Sequence, residues 1–339
     1  ITAGGYPNIT PTESWNGTAW SETAEINTGR ASGAAAGATN QAALLFLGQH
    51  PMKVNTELYN GTCWSEVADL TLGRINAFGT GSSTAAICAG GGRPPGVYTG
   101  ETEIWNGTAW TEVADLNTDR FNGGAAGIST AAIVYAGTTG SVSALAESWD
   151  GTSWTEVGDM ATARSEIGGV VGTSASNSLA LAIGGGPPYT AATEEWTAAT
   201  ITDTIINEGQ VYFNTATELL KFTKNVLGTG AWASGANINS ARSEFGGGAG
   251  TQSAFLIFGG TPAPLTQLTE SYDGSTWTEV ADLNSSRYYA TGFGTQTSAI
   301  CATGNPGTTV NVESWDGTCW AETANVNSGR WGAGSSKSS

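Results

Sequence analysis

The sequence predicts an all-β chain, a seven-bladed β-propeller of four-stranded blades forming one domain over residues 1–339. Two observations carry this. The stretch from Glu103 to Arg120, E-I-W-N-G-T-A-W-T-E-V-A-D-L-N-T-D-R, recurs seven times in degenerate form. Its second Trp falls at Trp20, Trp64, Trp110, Trp154, Trp232, Trp277 and Trp320, and an Arg follows ten residues later at Arg30, Arg74, Arg120, Arg164, Arg242, Arg287 and Arg330. The Trp-to-Trp spacings are 44, 46, 44, 78, 45 and 43 residues, and a period in the mid-forties is that of one four-stranded blade. The second observation lies at the chain ends. The first repeat is entered partway through and the last ends on a lone first strand after Arg330, so together the two ends supply one blade and leave no open sheet edge.

The complete unit after Arg74 sets the element order. A Gly-rich first strand is expected over 76–82 and an apolar second strand over 84–92. A third strand is expected over 101–105 and a fourth over 109–113. The third and fourth strands are joined at Asn-Gly or Asp-Gly, as in Asn60-Gly61, Asn106-Gly107, Asp150-Gly151 and Asp316-Gly317, which predicts a two-residue type I′ turn. Aromatic residues flank that turn, with Tyr59 and Tyr272 replacing Trp in the first slot, and 12 of the 13 Trp occupy these two slots. They read as blade packing, not as a ligand box.

One acid accompanies each Arg. Glu13, Glu57, Glu103, Glu147, Glu194, Glu270 and Glu313 each stand two residues before the first aromatic. The matched counts predict seven charge-assisted pairs near strand ends. The competing reading is a ring of free arginines that binds an anion on the axis.

Composition narrows the function. A net charge of −17, with seven of 12 basic residues being the repeat arginines, argues against nucleic acid and against acidic lipid surfaces. No run of 18 apolar residues suggests a membrane span. The chain starts at Ile1, which suggests processing or a longer polypeptide. Cys63 and Cys319 precede a repeat Trp, while Cys88 and Cys301 share a slot in an apolar strand; all four are expected to be free thiols filling core space.

An apolar strand ending in Gly-Gly, an acid, Tyr or Trp, a turn, a second Trp and finally Arg is similar to the kelch repeat, over nearly the whole chain. The Gly-Gly doublet is imperfect at Gly48-Gln49 and Gly304-Asn305. The regular W-[ND]-G-T-x-W-x-E-V-A-D-L-N form further resembles kelch-like virion proteins of tailed marine phages. That resemblance implies a non-enzymatic structural or binding protein of the virion: a tail-fibre, tail-associated or capsid-decorating component. Its implied partners are other virion proteins in a multi-copy assembly and a host-surface glycan or protein. The alternatives are a secreted microbial adhesin or filament subunit and, third, a glycan-active enzyme.

Catalytic groups are sparse. His50 is the sole histidine, no nucleophile elbow is present, and kelch-type copper oxidases need two histidine ligands. No cofactor, metal or catalytic residue is therefore expected. Recognition is expected on the variable connections between second and third strands, which share one face. Arg93, Pro94, Pro95, Tyr98, Pro187, Pro188 and Tyr189 are the candidate ligand contacts. The long spacing in the fifth unit predicts a β-hairpin insertion over 197–231 on the opposite face. Val211, Tyr212, Phe213, Leu219, Leu220 and Phe222 are the candidate docking residues within it.

Overall fold

The computed structural model describes residues 1–16, 18–49, 51–93, 96–167, 177–186, 188–199, 211–214, 219–222, 228–245, 247–261, 266–332 and 334–335. It is a seven-bladed propeller of antiparallel sheets. Strands are lettered a to d from the axis outward. Blade 2 shows the plan, with Ala34–Thr39, Ala42–Phe46, Thr56–Tyr59 and Trp64–Glu66 paired in that order. Blades 3, 4, 6 and 7 repeat it. In blade 5 the described strands are Leu179–Ile183, Thr193–Ala199 and Gly228–Ser234.

Blade 1 is composite, as the chain ends suggested. Its strand a is Gly334–Ser335 from the C-terminal end, paired antiparallel with Thr2–Ala3 from the N-terminal end. The ring therefore closes through backbone hydrogen bonds between the two chain ends.

Sequence and position agree strand by strand. Strand b is sandwiched between neighbouring blades, so it reads as a continuous apolar run, such as Ala131–Tyr135 (AAIVY). Strand d faces solvent beyond its Trp, as in Trp110–Glu112. Strand a crowds the axis and is rich in Gly and Ala. A Cβ placed on Gly247 would lie 2.8 Å from the Cα of Gly292 in the next blade, so only glycine permits this approach. Strand a is shorter than expected: in blade 3 it is Phe78–Gly81, because Asn76 adopts a left-handed conformation at φ +49°.

Among the described residues the core divides into seven apolar clusters, one at each blade interface. The repeat aromatics build these walls. Trp105 and Trp110 face each other in register, ring centroids 5.6 Å apart, and Trp110 also meets Phe46 of blade 2 edge-on at 4.9 Å. The indole of Trp105 donates to the Ser83 carbonyl of its own blade, while that of Trp110 donates to Thr56 Oγ1 of the preceding blade at 2.9 Å.

The turn between strands c and d differs from the two-residue expectation. The paired Trp105 and Trp110 leave a four-residue loop, and only its glycine has positive φ, +93° at Gly107. Asn106 instead holds the loop through its side chain, whose Oδ1 accepts the amides of Thr108 and Ala109 at 2.9 Å. This is an Asx turn, and it removes the need for positive φ at Asn106. Asp273 repeats the arrangement, and these donated hydrogen bonds hold its carboxyl down at about 2.

The cysteine reading is corrected in part. All four are free thiols, and Cys88 and Cys301 are buried, but Cys63 and Cys319 are exposed. Their slot lies in the c–d loop, where the side chain points away from the blade interface and toward the Asx residue.

All seven Arg–Glu pairs form. Arg74–Glu103, Arg120–Glu147, Arg164–Glu194, Arg242–Glu270 and Arg330–Glu13 lie at 3.2, 3.0, 3.0, 2.7 and 2.5 Å, joined by Arg30–Glu57 and Arg287–Glu313. Both partners are buried in every pair. Each Arg follows the d-strand of one blade, but its Glu stands on strand c of the next. The second carboxylate oxygen takes backbone amides of the incoming connector, for example Asn117 at 2.7 Å and Asn284 at 2.6 Å. The Arg also donates to the b–c connector, as from Arg164 to the Ala192 carbonyl at 2.7 Å. Burial pulls the arginines at 30, 120, 164, 242 and 330 below their ordinary range, opposed by the paired carboxylates. These guanidiniums are closed off from solvent, so the anion-ring reading does not hold.

Candidate functional site

The d–a connectors and the b–c connectors meet on one face. The amide of Leu116 in the former, for instance, donates to the Gly100 carbonyl in the latter at 2.9 Å. Within this face two features stand out: the tips of the b–c connectors and the mouth of the central axis.

The sequence-predicted contacts divide among the tips. Arg93 and Tyr98 lie on a short antiparallel ribbon, Gly92–Arg93 with Val97–Tyr98, with Arg93 exposed. Tyr98 stacks on Phe121 of blade 4, with centroids at 5.0 Å and planes 13° apart, so its face is spent on packing. Pro188 and Tyr189 are exposed in blade 5, on a separate connector. Pro94, Pro95 and Pro187 lie outside the described residues. The hairpin predicted in the fifth unit is present as Val211–Asn214 paired with Leu219–Phe222, in the register Val211↔Phe222 and Phe213↔Leu220. It sits between strands c and d of blade 5, which run on past the usual turn to pair Ala199 with Gly228.

The axial mouth was not anticipated. Two residues after each repeat Arg stand Ser32, Asn76, Asn122, Glu166, Glu244, Tyr289 and Gly332, all with φ between +47° and +63°. A non-glycine residue held there is costly, on the order of 1–2 kcal/mol, and persists only where its surroundings fix it. Here two runs of backbone hydrogen bonds do so, one from Ser32 to Glu166 and one from Glu244 to Gly332. Asn76 donates to Ser32, Asn122 to Asn76, Glu166 to Asn122, Tyr289 to Glu244 and Gly332 to Tyr289, at 3.0–3.2 Å. The shared conformation brings these seven positions, six of them with side chains, around a single opening.

That opening leads into a cavity of ≈ 510 Å³ whose lining includes Glu166, Glu244, Phe245, Tyr289 and Trp331. Two carboxylates thus come from adjacent blades. Glu244 is engaged: Tyr289 Oη donates to its Oε1 at 2.5 Å and Thr261 Oγ1 to its Oε2 at 3.2 Å. Glu166 takes no hydrogen bond from a described residue, and burial followed by the nearby Glu244 charge pushes its carboxyl up. Burial and the Glu244 hydrogen bond likewise push the Tyr289 phenol up, so it remains a proton donor. Beside them, Trp331 is stacked between Tyr6 at 4.5 Å and Tyr289 at 5.3 Å. Trp331 is the one Trp outside the hairpin slots, and that was the available sequence signal. The ring itself was harder to see, because no single residue type recurs through its seven positions.

No protein-family model and no curated protein sequence matches the chain. Among solved structures, one described as the structure of YjhT is similar, with a TM-score of 0.59 and 13% sequence identity, covering 89% of this chain and 99% of that one. At this identity the likeness shows a shared propeller fold.

Proposed function

We propose that the protein is a non-catalytic recognition and assembly module of a tailed-phage virion, a tail-fibre, tail-associated or capsid-decorating component whose connector face engages a host-surface glycan or protein. The observation that carries the recognition half is where exposed apolar side chains lie. Of the six exposed large apolar side chains among the described residues, four, Tyr6, Met52, Val97 and Tyr189, stand on b–c connectors of four different blades, while Ile128 and Leu179 stand at strand ends in blades 4 and 5. Apolar and aromatic side chains held at loop tips by a rigid ring suit contact with sugar rings or protein. The kelch-like order of the repeat and its W-[ND]-G-T-x-W form support the virion half. The buried pairs add a further argument. They cancel internally, so the whole net charge of −17 is carried outside them, which suits a solubilised surface component more than a nucleic-acid binder. Many copies on one particle would turn weak individual contacts into avidity.

Cryo-electron microscopy of the native source particle tests this. The expected result is the propeller on a capsid or tail, with the 211–222 hairpin against a neighbouring virion protein and the connector face outward. Propellers strung along a cell-derived filament would overturn it in favour of an adhesin or filament subunit.

A further inference from the structure

We infer that the axial mouth is a binding site for a basic side chain, the ammonium or guanidinium group of a lysine or arginine presented by a protein partner, held between Glu166 and Glu244 with its alkyl stem against the Tyr289–Trp331 wall. The site shares Tyr6 with the connector face but needs none of the other tips to bind anything.

The first argument is charge. Every repeat arginine is committed to its own buried glutamate, and among the described residues no basic side chain lines the cavity. Glu166 and Glu244 therefore sit on neighbouring blades, half-buried, with no lysine or arginine beside them among the described residues. Two like charges in partial burial repel, and the repulsion is relieved by protonation or by a positive group from outside. A cation would be held by charge-assisted hydrogen bonds that are stronger than neutral ones. Glu166 has its acceptor positions free of described donors, while Glu244 is already oriented by the hydroxyls of Tyr289 and Thr261.

Shape is the second argument. Glu166 ends one run of backbone hydrogen bonds and Glu244 begins the other, so each carboxylate stands on a fixed backbone and is presented without a large ordering cost. Trp331 has both faces covered by Tyr6 and Tyr289, so the stack is stiff and it is the edges of Tyr289 and Trp331 that form an apolar rim beside the carboxylates. A long apolar stem ending in a cation matches that juxtaposition, because such side chains lay their methylenes along apolar surface and keep the charge at a polar site. The volume of ≈ 510 Å³ has room for one such side chain. A divalent cation fits less well. Calcium takes six to eight oxygen ligands, whereas this mouth offers two carboxylates with one already engaged, and no group of three metal-ligating side chains occurs among the described residues.

The test uses the intact chain with N-acetyl-arginine amide and N-acetyl-lysine amide as probes, N-acetyl-citrulline amide as the uncharged isostere, and glucosamine as an amino sugar. Binding is measured by calorimetry and by the shift of the Trp331 indole N–H signal in NMR. Saturable binding of a basic probe is expected, with citrulline weaker by about tenfold or more and Glu166→Gln weakening the basic probe by about as much. Trp331→Leu should weaken it by a smaller factor. The Glu166 carboxylate takes no hydrogen bond from a described residue and its backbone bond to Asn122 survives the change, so Glu166→Gln should melt near the parent temperature and report on binding. Citrulline binding as well as arginine, no saturable binding of either basic probe, or indifference to Glu166→Gln would each overturn the inference. Tighter binding of glucosamine than of either amino-acid probe would also overturn it and assign the mouth to an amino sugar.

Discussion

Arg330 and Glu13 lie 317 residues apart in the chain and 2.5 Å apart in the fold. They make the same pair that the other arginines make with glutamates only 26 to 30 residues further on. The repeat thus uses one device both to join each connector to its blade and to close the ring. In the closing blade the Arg330 Nη1 donates to the Pro11 carbonyl at 2.6 Å, and Glu13 accepts the Asn327 amide at 2.8 Å. The C-terminal connector is thereby fastened to the N-terminal strands.

Removing one partner should be far worse than changing both. Arg330→Met leaves Glu13 buried without its counter-charge and is expected to cost about 3–5 kcal/mol in urea unfolding. Adding Glu13→Gln, which keeps an acceptor for Asn327, should recover at least half of that loss. The pH dependence has a definite sign. Burial already pushes the Glu13 carboxyl up against the pull of Asn327 and Arg330, and loss of Arg330 removes one of the opposing effects. A folded-state value above the unfolded one favours folding at low pH and lowers stability as pH rises. The deficit of Arg330→Met should therefore be larger at pH 7 than below about pH 4.3, the ordinary glutamate value. Equal losses at both pH values, or no recovery in the double variant, would show that the pair is not the closing element.

The indole N–H of the second Trp supplies an independent test of the blade interfaces. Trp154 donates to Thr102 Oγ1 at 3.1 Å and Trp320 to Thr269 Oγ1 at 2.9 Å, each across an interface. Blade 7 carries Val312 at the threonine position, and the buried Trp20 indole facing it has no hydrogen-bond partner among the described residues. The Trp64 and Trp277 indoles likewise lack one among those residues, although Thr12 and Thr193 hold the slot there. Thr102→Val should cost about 1–3 kcal/mol, because it strands a buried donor. Val312→Thr is close in volume and should give back about 0.5–1.5 kcal/mol by supplying the missing acceptor. Thermal melts of the two variants should move in opposite directions; movement in the same direction would assign the slot to packing alone.

Much of this architecture was legible because a repeat tells the same fact seven times. Blade count, ring closure and the Arg–Glu pairing all rest on residues that recur in register. Which glutamate serves which arginine was less apparent, because Arg30 follows the Trp20 hairpin in sequence but belongs in space to the blade of Glu57. The c–d turn was misread because Asn-Gly satisfies two mechanisms, positive φ at both positions or a side-chain cap, and the paired Trp105 and Trp110 select the second. The axial ring escaped notice for the opposite reason. Ser32, Asn122, Glu166 and Tyr289 share a backbone conformation but not a residue type, so no single identity recurs for the eye to find. Tyr98 looked free for a ligand because its stacking partner, Phe121, comes from the next unit.

The thiols give a last and simple discrimination between a slot in the core and a slot at its edge. Cys88 and Cys301 stand on strand b, wholly buried, and burial pushes both thiols up, Cys301 to about 12 and Cys88 against the pull of the Arg74 guanidinium beside it. Thiolate, the reactive form, is therefore scarce there, and reagent cannot reach it. Cys63 and Cys319 sit in c–d loops at the solvent boundary. A disulfide-exchange reagent added to the native protein should titrate two thiols quickly, and the other two only after denaturation. Cys63→Ser with Cys319→Ser should abolish the fast phase and leave the melting temperature nearly unchanged, since neither side chain fills a blade interface. Four fast thiols would mean that strand b opens readily in the native state, and none would return Cys63 and Cys319 to the core.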